Sequence, residues 1–278
     1  ESLGNPKLDV LDLKAISKAA QNYKVPFIVD NTVATPFLLN PIEYGANIVI
    51  HSLTKYIGGN GTSLGGVIID AGNFDWSNGK FPEFTEPSAG YHGLKYYEVL
   101  GAASFIAKVR IEGLRDLGAS LSPFNAFQII QGLETLAIRI KKHSENALEL
   151  SKWLQKRSEV AWVNYPGLIS SKYYELAQQY LPEGQSGILT FGLKGGYEAA
   201  KKVADETQFF SLLANIGDTK SLIIHPASTT HQQLSEQQQI TTGVTKDLIR
   251  LSVGLEDIED LKADLQSVFE KLPVQNLV

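Results

Sequence analysis

The residues best placed to do chemistry surround one lysine. In "NIVIHSLTKYIGGNGTSLGGVIID", residues 47–70, Lys55 stands between an apolar run and a cluster of small, polar and glycine residues. The glycines permit positive φ and close approach of a ligand to the backbone, and Ser52, Thr54, Thr62 and Ser63 supply short hydroxyls suited to a phosphate. On local pattern alone, Lys55 reads first as a solvated amine at a strand end. Asp30 ends the run "VPFIVD", 25 positions before Lys55, and by itself it could be an N-cap or turn residue. As a pair, the two have a sharper reading. Pyridoxal phosphate needs an amine for a Schiff base, an acid that keeps its ring nitrogen protonated, hydroxyls or amides for its phosphate and an aromatic ring over its face.

These side chains need elements to hold them. Residues 8–23 carry Leu13, Ile16, Ala19 and Ala20 at helical spacing, which predicts an amphipathic helix with Asp9 as its N-cap. "VPFIVD", "ANIVIHS" and "GGVIID" have strand length and are too apolar for half-exposed strands. Alternating with helical segments, they predict a mostly parallel sheet covered on both faces, with ligands beyond the carboxyl ends of its strands. Asp30, Ser52 and Lys55 fall at or just after such ends. Helical patterns follow over 97–115 and through "SPFNAFQIIQGLETLAIRIKKHSENALELSKWLQKR", which bridges two domains. Further on, "AWVNYPG", "GILTFGL", "LIIHPAS" and "LIRLSVG" read as strands, with helical segments at 197–204 and 258–271. This is a smaller α/β layer. The Gln-rich "HQQLSEQQQ" reads as a polar helix face.

Composition narrows the function classes. The 278 residues, 43% hydrophobic, suffice for one large domain or two smaller ones. A net charge of −5 arises from 25 basic and 30 acidic residues interspersed along the chain, without the basic stripe that nucleic acid requires. No apolar run approaches the roughly 20 residues that span a bilayer, so no membrane partner is expected and the location expected is cytoplasmic. The absence of cysteine removes disulfides and thiolate metal sites, and the five histidines are too scattered for a zinc site. His51, His92, His225 and His231 are expected to serve as structural polar residues. Methionine is also absent, and the abrupt opening "ESLGNPKLDV" suggests the later part of a longer protein.

"VDNTVATPFLLNPIEYGANIVIHSLTKYIGGNGTSLGGVIID" resembles the cofactor-lysine region of the Cys/Met-metabolism family of pyridoxal-phosphate enzymes, and the likeness continues through "SPFNAFQIIQGLETLAIRIKKHSENA" to "DLIRLSVGLED". Within the family, "FDWSNGKFPEFTEPSAGYHGLKY" and "LLANIGDTKSLIIHPASTTH" resemble segments of the O-acetylhomoserine sulfhydrylases. The resemblance implies an α/β fold of the aspartate-aminotransferase-like type (fold type I), with the later part of a large cofactor-binding domain over 1–143 and a small C-terminal α/β domain over 144–278. It also implies pyridoxal 5'-phosphate as cofactor. In this reading Asp30 pairs with the ring nitrogen, Ser52 and Thr54 bind the phosphate, Lys55 forms the Schiff base and moves protons, and Arg250 and Ser221 hold the substrate carboxylate. The implied substrates are O-acetyl-L-homoserine and sulfide, and the implied product is homocysteine.

Family members also carry an earlier portion with a phosphate loop, the ring-stacking aromatic residue and a Tyr/Arg pair lent to a neighbouring subunit. A homo-oligomer, a tetramer of dimeric pairs, is therefore expected, with the missing N-terminal portion supplied as a separate chain. Methionine or cystathionine γ-lyase and cystathionine γ-synthase share these residues and remain open as alternatives, as does a non-catalytic subunit that only assembles with a partner.

Overall fold

A computed structural model describes residues 1–273 of the chain. The N-terminal arm is not helical. Leu3 and Val10 form an isolated bridge, and the Ser2 amide donates to the Asp30 carbonyl at 2.9 Å, so this arm lies along the first strand. Helix α1 therefore starts later than its apolar spacing suggests. It spans Leu13–Asn22 and is capped by Asp12, whose carboxylate accepts from the Ala15 amide at 3.1 Å, whereas Asp9 caps nothing. The position matches the preference for a short acceptor at an N-cap.

Strands β1 (Ile28–Asp30), β2 (Ile48–Ser52) and β3 (Gly66–Asp70) form a three-stranded sheet in that order. β1 and β2 are parallel, with Asp30 opposite Ile50, so the ends of both strands emerge at the same edge. β3 runs antiparallel to β2, with Ser52 opposite Gly66, and is largely exposed. The departure from a parallel strand has a simple cause. A parallel return needs a long crossover, usually a helix, while the glycine-rich connection here turns straight back on itself.

Residues 97–115 do not form one helix. Short helical turns at Tyr96–Leu100, Ser104–Lys108 and Val109–Arg115 are broken at Gly101 and wrap an aromatic cluster in which Trp76 stacks on Phe105 at 5.3 Å. The long helical stretch then divides at Thr135 into α2 (Pro123–Glu134) and α3 (Leu136–Leu154).

The remainder builds a second sheet in the order β4-β5-β8-β7-β6, from β4 (Val160–Asn164), β5 (Ile188–Leu193), β6 (Ser211–Leu212), β7 (Leu222–Ile224) and β8 (Leu248–Ser252). Only β6 and β7 pair in parallel. Helices α4 (Gly196–Glu206) and α6 (Ile258–Phe269) cover the sheet. The Gln-rich stretch forms α5 (Glu236–Thr241), with Ser235 and Gln238 closing a capping box. Besides the Trp76 cluster there are two larger cores, one beneath each sheet, and α3 serves both. Leu136 and Ile140 belong to the core beneath the first sheet, while Ala147, Leu150 and Leu154 belong to the core beneath the second. The boundary expected at 143/144 falls inside this continuous helix.

Candidate active site

Beyond Ser52 the chain enters a tight turn, Leu53–Ile57, closed by an i to i+5 bond from the Gly58 amide to the Leu53 carbonyl at 2.9 Å. Lys55 departs from helical geometry within it, at φ −89° and ψ −131°. A wider turn of this kind alters the direction in which its side chains leave the backbone, and such turns concentrate at functional sites. At Gly59, φ is +74° and a Cβ would lie 2.3 Å from an Arg139 nitrogen, so no other residue fits without rearrangement.

The Lys55 amine donates to Asn215 Oδ1 at 2.5 Å. Burial, and then the nearby positive charge of Arg250, hold its pKa below the ordinary lysine value. Arg250 sits mid-strand in β8, between Thr190 of β5 and Ile224 of β7. Its guanidinium donates to Asn5 Oδ1 and to the Asn215 carbonyl, each at 3.2 Å. Among the described residues no carboxylate pairs with it. Burial brings its pKa down to about 10. A buried cation held only by neutral oxygens is well suited to receive a ligand carboxylate.

Asn215 therefore touches both cations, one through its side chain and the other through its backbone. The loop carrying it is docked on the lysine turn, because the Thr219 amide donates to the Gly59 carbonyl at 2.8 Å. It is fastened to β8 as well, by the Gly217 amide donating to Ser252 Oγ at 2.9 Å.

The other expected residues are placed less uniformly. Asp30 accepts from the Thr32 amide through Oδ1 at 2.9 Å, and its Oδ2 has no hydrogen-bond partner among the described residues. Ser52 is fixed through its amide, which donates to Thr32 Oγ1 at 2.8 Å, and its own hydroxyl is uncommitted among the described residues. Thr54 differs. Its hydroxyl donates to the Gly65 carbonyl at 3.3 Å and accepts from the Gly65 amide at 3.1 Å. Ser221 is fully buried; its hydroxyl donates to Glu256 at 2.8 Å and accepts from the Gly254 amide at 2.8 Å. His51 is buried beside Asp30, and that carboxylate opposes the loss of basicity that burial imposes on the ring. His225 is fully used in structure, between Ser228 Oγ and the Lys246 carbonyl.

Two residues of the site carry no motif that singles them out. Asn215 lies in a loop whose sequence gives no hint of a contact with Lys55. Arg139 had a signal, since it occupies the same helical face as the apolar Leu136, Ile140 and Ala147 and must be buried with them.

The donor set fits pyridoxal phosphate. It offers a carboxylate with a free oxygen, an uncommitted hydroxyl, an amine of reduced basicity beside a glycine-rich turn, and a buried guanidinium on the substrate side. The chain matches the family model described as Cys/Met metabolism PLP-dependent enzyme over residues 1–270. It is 55% identical to the O-acetyl-L-homoserine sulfhydrylase of Leptospira meyeri, over 98% of this chain and 64% of that protein. The homocysteine/cysteine synthase of Saccharomyces cerevisiae is 47% identical, over 97% of this chain and 64% of its own length. A crystal structure of a Campylobacter jejuni protein assigned as an O-acetylhomoserine (thiol)-lyase, which contains N'-pyridoxyl-lysine-5'-monophosphate, superimposes with a TM-score of 0.93 at 47% identity, covering 97% of this chain and 64% of that one. The chain thus spans a little under two thirds of the length of these relatives. On the family match and the shared α/β fold, it belongs to the Cys/Met metabolism PLP-dependent enzymes.

Proposed function

We propose that the protein of which this chain forms part is an O-acetyl-L-homoserine sulfhydrylase, exchanging the acetate of O-acetyl-L-homoserine for sulfide to give L-homocysteine. The observation that carries this reading is the joining of Lys55 and Arg250 through Asn215. An amine able to exchange protons and a buried receptor for a carboxylate stand on either side of one residue, as an α-amino acid substrate requires. Pyridoxal phosphate, when bound, supplies an electron-accepting ring that makes protons next to the substrate nitrogen removable.

In this reading Lys55 carries the cofactor, then takes a proton from the substrate α-carbon and returns it. Burial and then the Arg250 charge lower its pKa from the ordinary lysine value, which favours its acting as the base. Asp30 would hold the cofactor's ring nitrogen in its protonated form, its Oδ2 being without a partner among the described residues, and Ser52 would donate its uncommitted hydroxyl to the phosphate. Thr54 can join Ser52 only by giving up its bonds to Gly65. Arg250 grips the substrate carboxylate. A direct contact from Ser221 would first have to break its bond to Glu256, so we assign it to holding the turn after β8 in place for Arg250.

We further infer a cytoplasmic homo-oligomer, a tetramer of dimeric pairs. Among the described residues no helix is long and apolar enough to cross a membrane. Leu64, Leu117, Phe124, Phe127 and Ile130 lie exposed, apolar side chains of the kind that a second subunit would cover. The domain division at 143/144 is part of the same proposal, with α3 as the shared element.

The deciding experiment compares homocysteine formation from O-acetyl-L-homoserine and sulfide with keto-acid release from methionine or cystathionine, and with cystathionine formation from cysteine. Homocysteine formation as the dominant reaction is expected. Dominant keto-acid release or cystathionine formation would reassign the chain to a γ-lyase or cystathionine γ-synthase of the same family, and no turnover in the assembled protein would leave a non-catalytic subunit.

A further inference from the structure

Arg139 is buried in the first core region, yet it has no acidic partner among the described residues. Four of its five N–H donors go to neutral oxygens instead. Nη1 donates to the Tyr56 carbonyl at 2.7 Å, Nη2 donates to the Ile57 and Gly132 carbonyls at 3.1 and 2.6 Å, and Nε donates to Thr135 Oγ1 at 3.0 Å. These carbonyls share an origin. Tyr56 and Ile57 end the lysine turn, and Gly132 lies in the last turn of α2. Carbonyls at helix ends lack intrahelical donors, and the ends carry partial negative charge. Two such ends therefore converge on one cation, which explains how the guanidinium is tolerated without a carboxylate.

The joint is also sterically tight. A Cβ at Gly132 would fall 2.3 Å from the Gly58 carbonyl and 2.5 Å from that of Ile57, so α2 meets the lysine turn backbone to backbone. Arg139 lies across this contact and against Gly59.

We propose that Arg139 is a positioning residue for Lys55: by tying the two carbonyls that follow the lysine to the end of α2, it holds the turn that aims the amine into the site. The inference rests on Lys55 being the reactive amine of the proposed enzyme. Arg139 makes no hydrogen bond to Lys55, and the charge acting on that amine is Arg250's. Its effect is therefore mechanical, through the direction and burial of the lysine side chain.

The test uses the full-length protein freed of cofactor. Lysines are carbamylated with cyanate across a range of pH, and modification of Lys55 and of surface Lys220 is followed by mass spectrometry in the same samples. In Arg139→Gln and Arg139→Met the Lys55 profile is expected to move to higher pH by about one unit as the amine becomes more hydrated, while Lys220 is unchanged. Arg139→Lys, which keeps a cation at the converging ends, should restore part of the shift. In the cofactor-loaded protein kcat should fall on the order of 100-fold with KM little changed, the mark of a misaimed group and not of lost binding. Folded Gln and Met variants with the native Lys55 profile and native kcat would overturn the proposal. If both fail to fold, Arg139→Lys decides it, and a native profile and kcat there, despite the lost fork of donors, would likewise refute positioning by Arg139. Failure of the wild-type protein to attach pyridoxal phosphate would defeat the proposed function separately, because the cyanate profile is read without cofactor.

Discussion

Arg139 and Arg250 are both buried guanidiniums without an acidic partner among the described residues, and their surroundings differ in one decisive respect. Arg139 commits four of its five N–H donors, to three carbonyls and a hydroxyl contributed by the lysine turn, α2 and the Thr135 that follows it. Arg250 makes two hydrogen bonds of 3.2 Å, to the Asn5 side chain and the Asn215 carbonyl, across the seam between the two sheets. A guanidinium has five N–H donors, so the first is a structural clasp and the second keeps capacity for a ligand. A buried cation thus reveals its use by how fully it is satisfied. Lys55 lies between the two, the turn after it held at Tyr56 and Ile57 by one and its amine made less basic in part by the other.

The largest expected effect is on the lysine itself. Lys55→Ala removes the only group proposed both to hold the cofactor and to move the proton, so turnover and the visible absorption of lysine-bound cofactor should both vanish. Retention of either would detach Lys55 from the chemistry. Arg250→Leu should next lower kcat/KM by roughly 100- to 1000-fold, mainly through KM, because a buried partner for the substrate carboxylate is lost. Cofactor attachment should persist in that variant. A loss borne by kcat alone would instead make Arg250 resemble Arg139.

His143 lies one turn beyond Arg139 on α3 and donates through Nδ1 to the Val253 carbonyl just after β8, at 2.6 Å. It therefore ties together the surroundings of both arginines. Burial, with a smaller push from Arg139, lowers its pKa from 6.5 to about 4, against the opposing bond to Val253. As pH falls below 6.5 the unfolded chain takes up a proton on this ring while the folded chain does not. The associated stability is fully present above pH 6.5 and is lost as pH falls toward 4, on the order of 3 kcal/mol. Denaturant melts across this window should flatten in His143→Gln, and an unchanged slope would show that another group governs the acid side. The smallest effect serves as a control remote from both cations: Asp12→Ala should cost about 1 kcal/mol of stability by removing the α1 cap, and leave kcat unchanged.

Much of this arrangement follows from local pattern. The apolar runs locate β1, β2 and four strands of the second sheet, and they place Asp30 and Ser52 at the ends of neighbouring strands with Lys55 in the turn that follows. Several features depend on contacts made at a distance. The start of α1 is displaced because Leu3 bridges Val10 and Ser2 bonds to Asp30, and the two-residue β6 exists only by pairing with β7. Asn215 reaches Lys55 across 160 residues of chain, a contact that no periodicity encodes. Ser221 looked free in sequence because its partner Glu256 lies 35 residues away, beyond β8. Arg139 was readable in part, since a charge on a buried helical face must find partners, although which carbonyls would supply them depends on the fold.

The most direct test is to reduce the assembled, cofactor-loaded protein with borohydride and map the modified peptide. Pyridoxyl modification confined to the peptide containing Lys55, with activity lost in proportion, is the predicted result. Modification at a different lysine, or full activity with Lys55 unmodified, would contradict it.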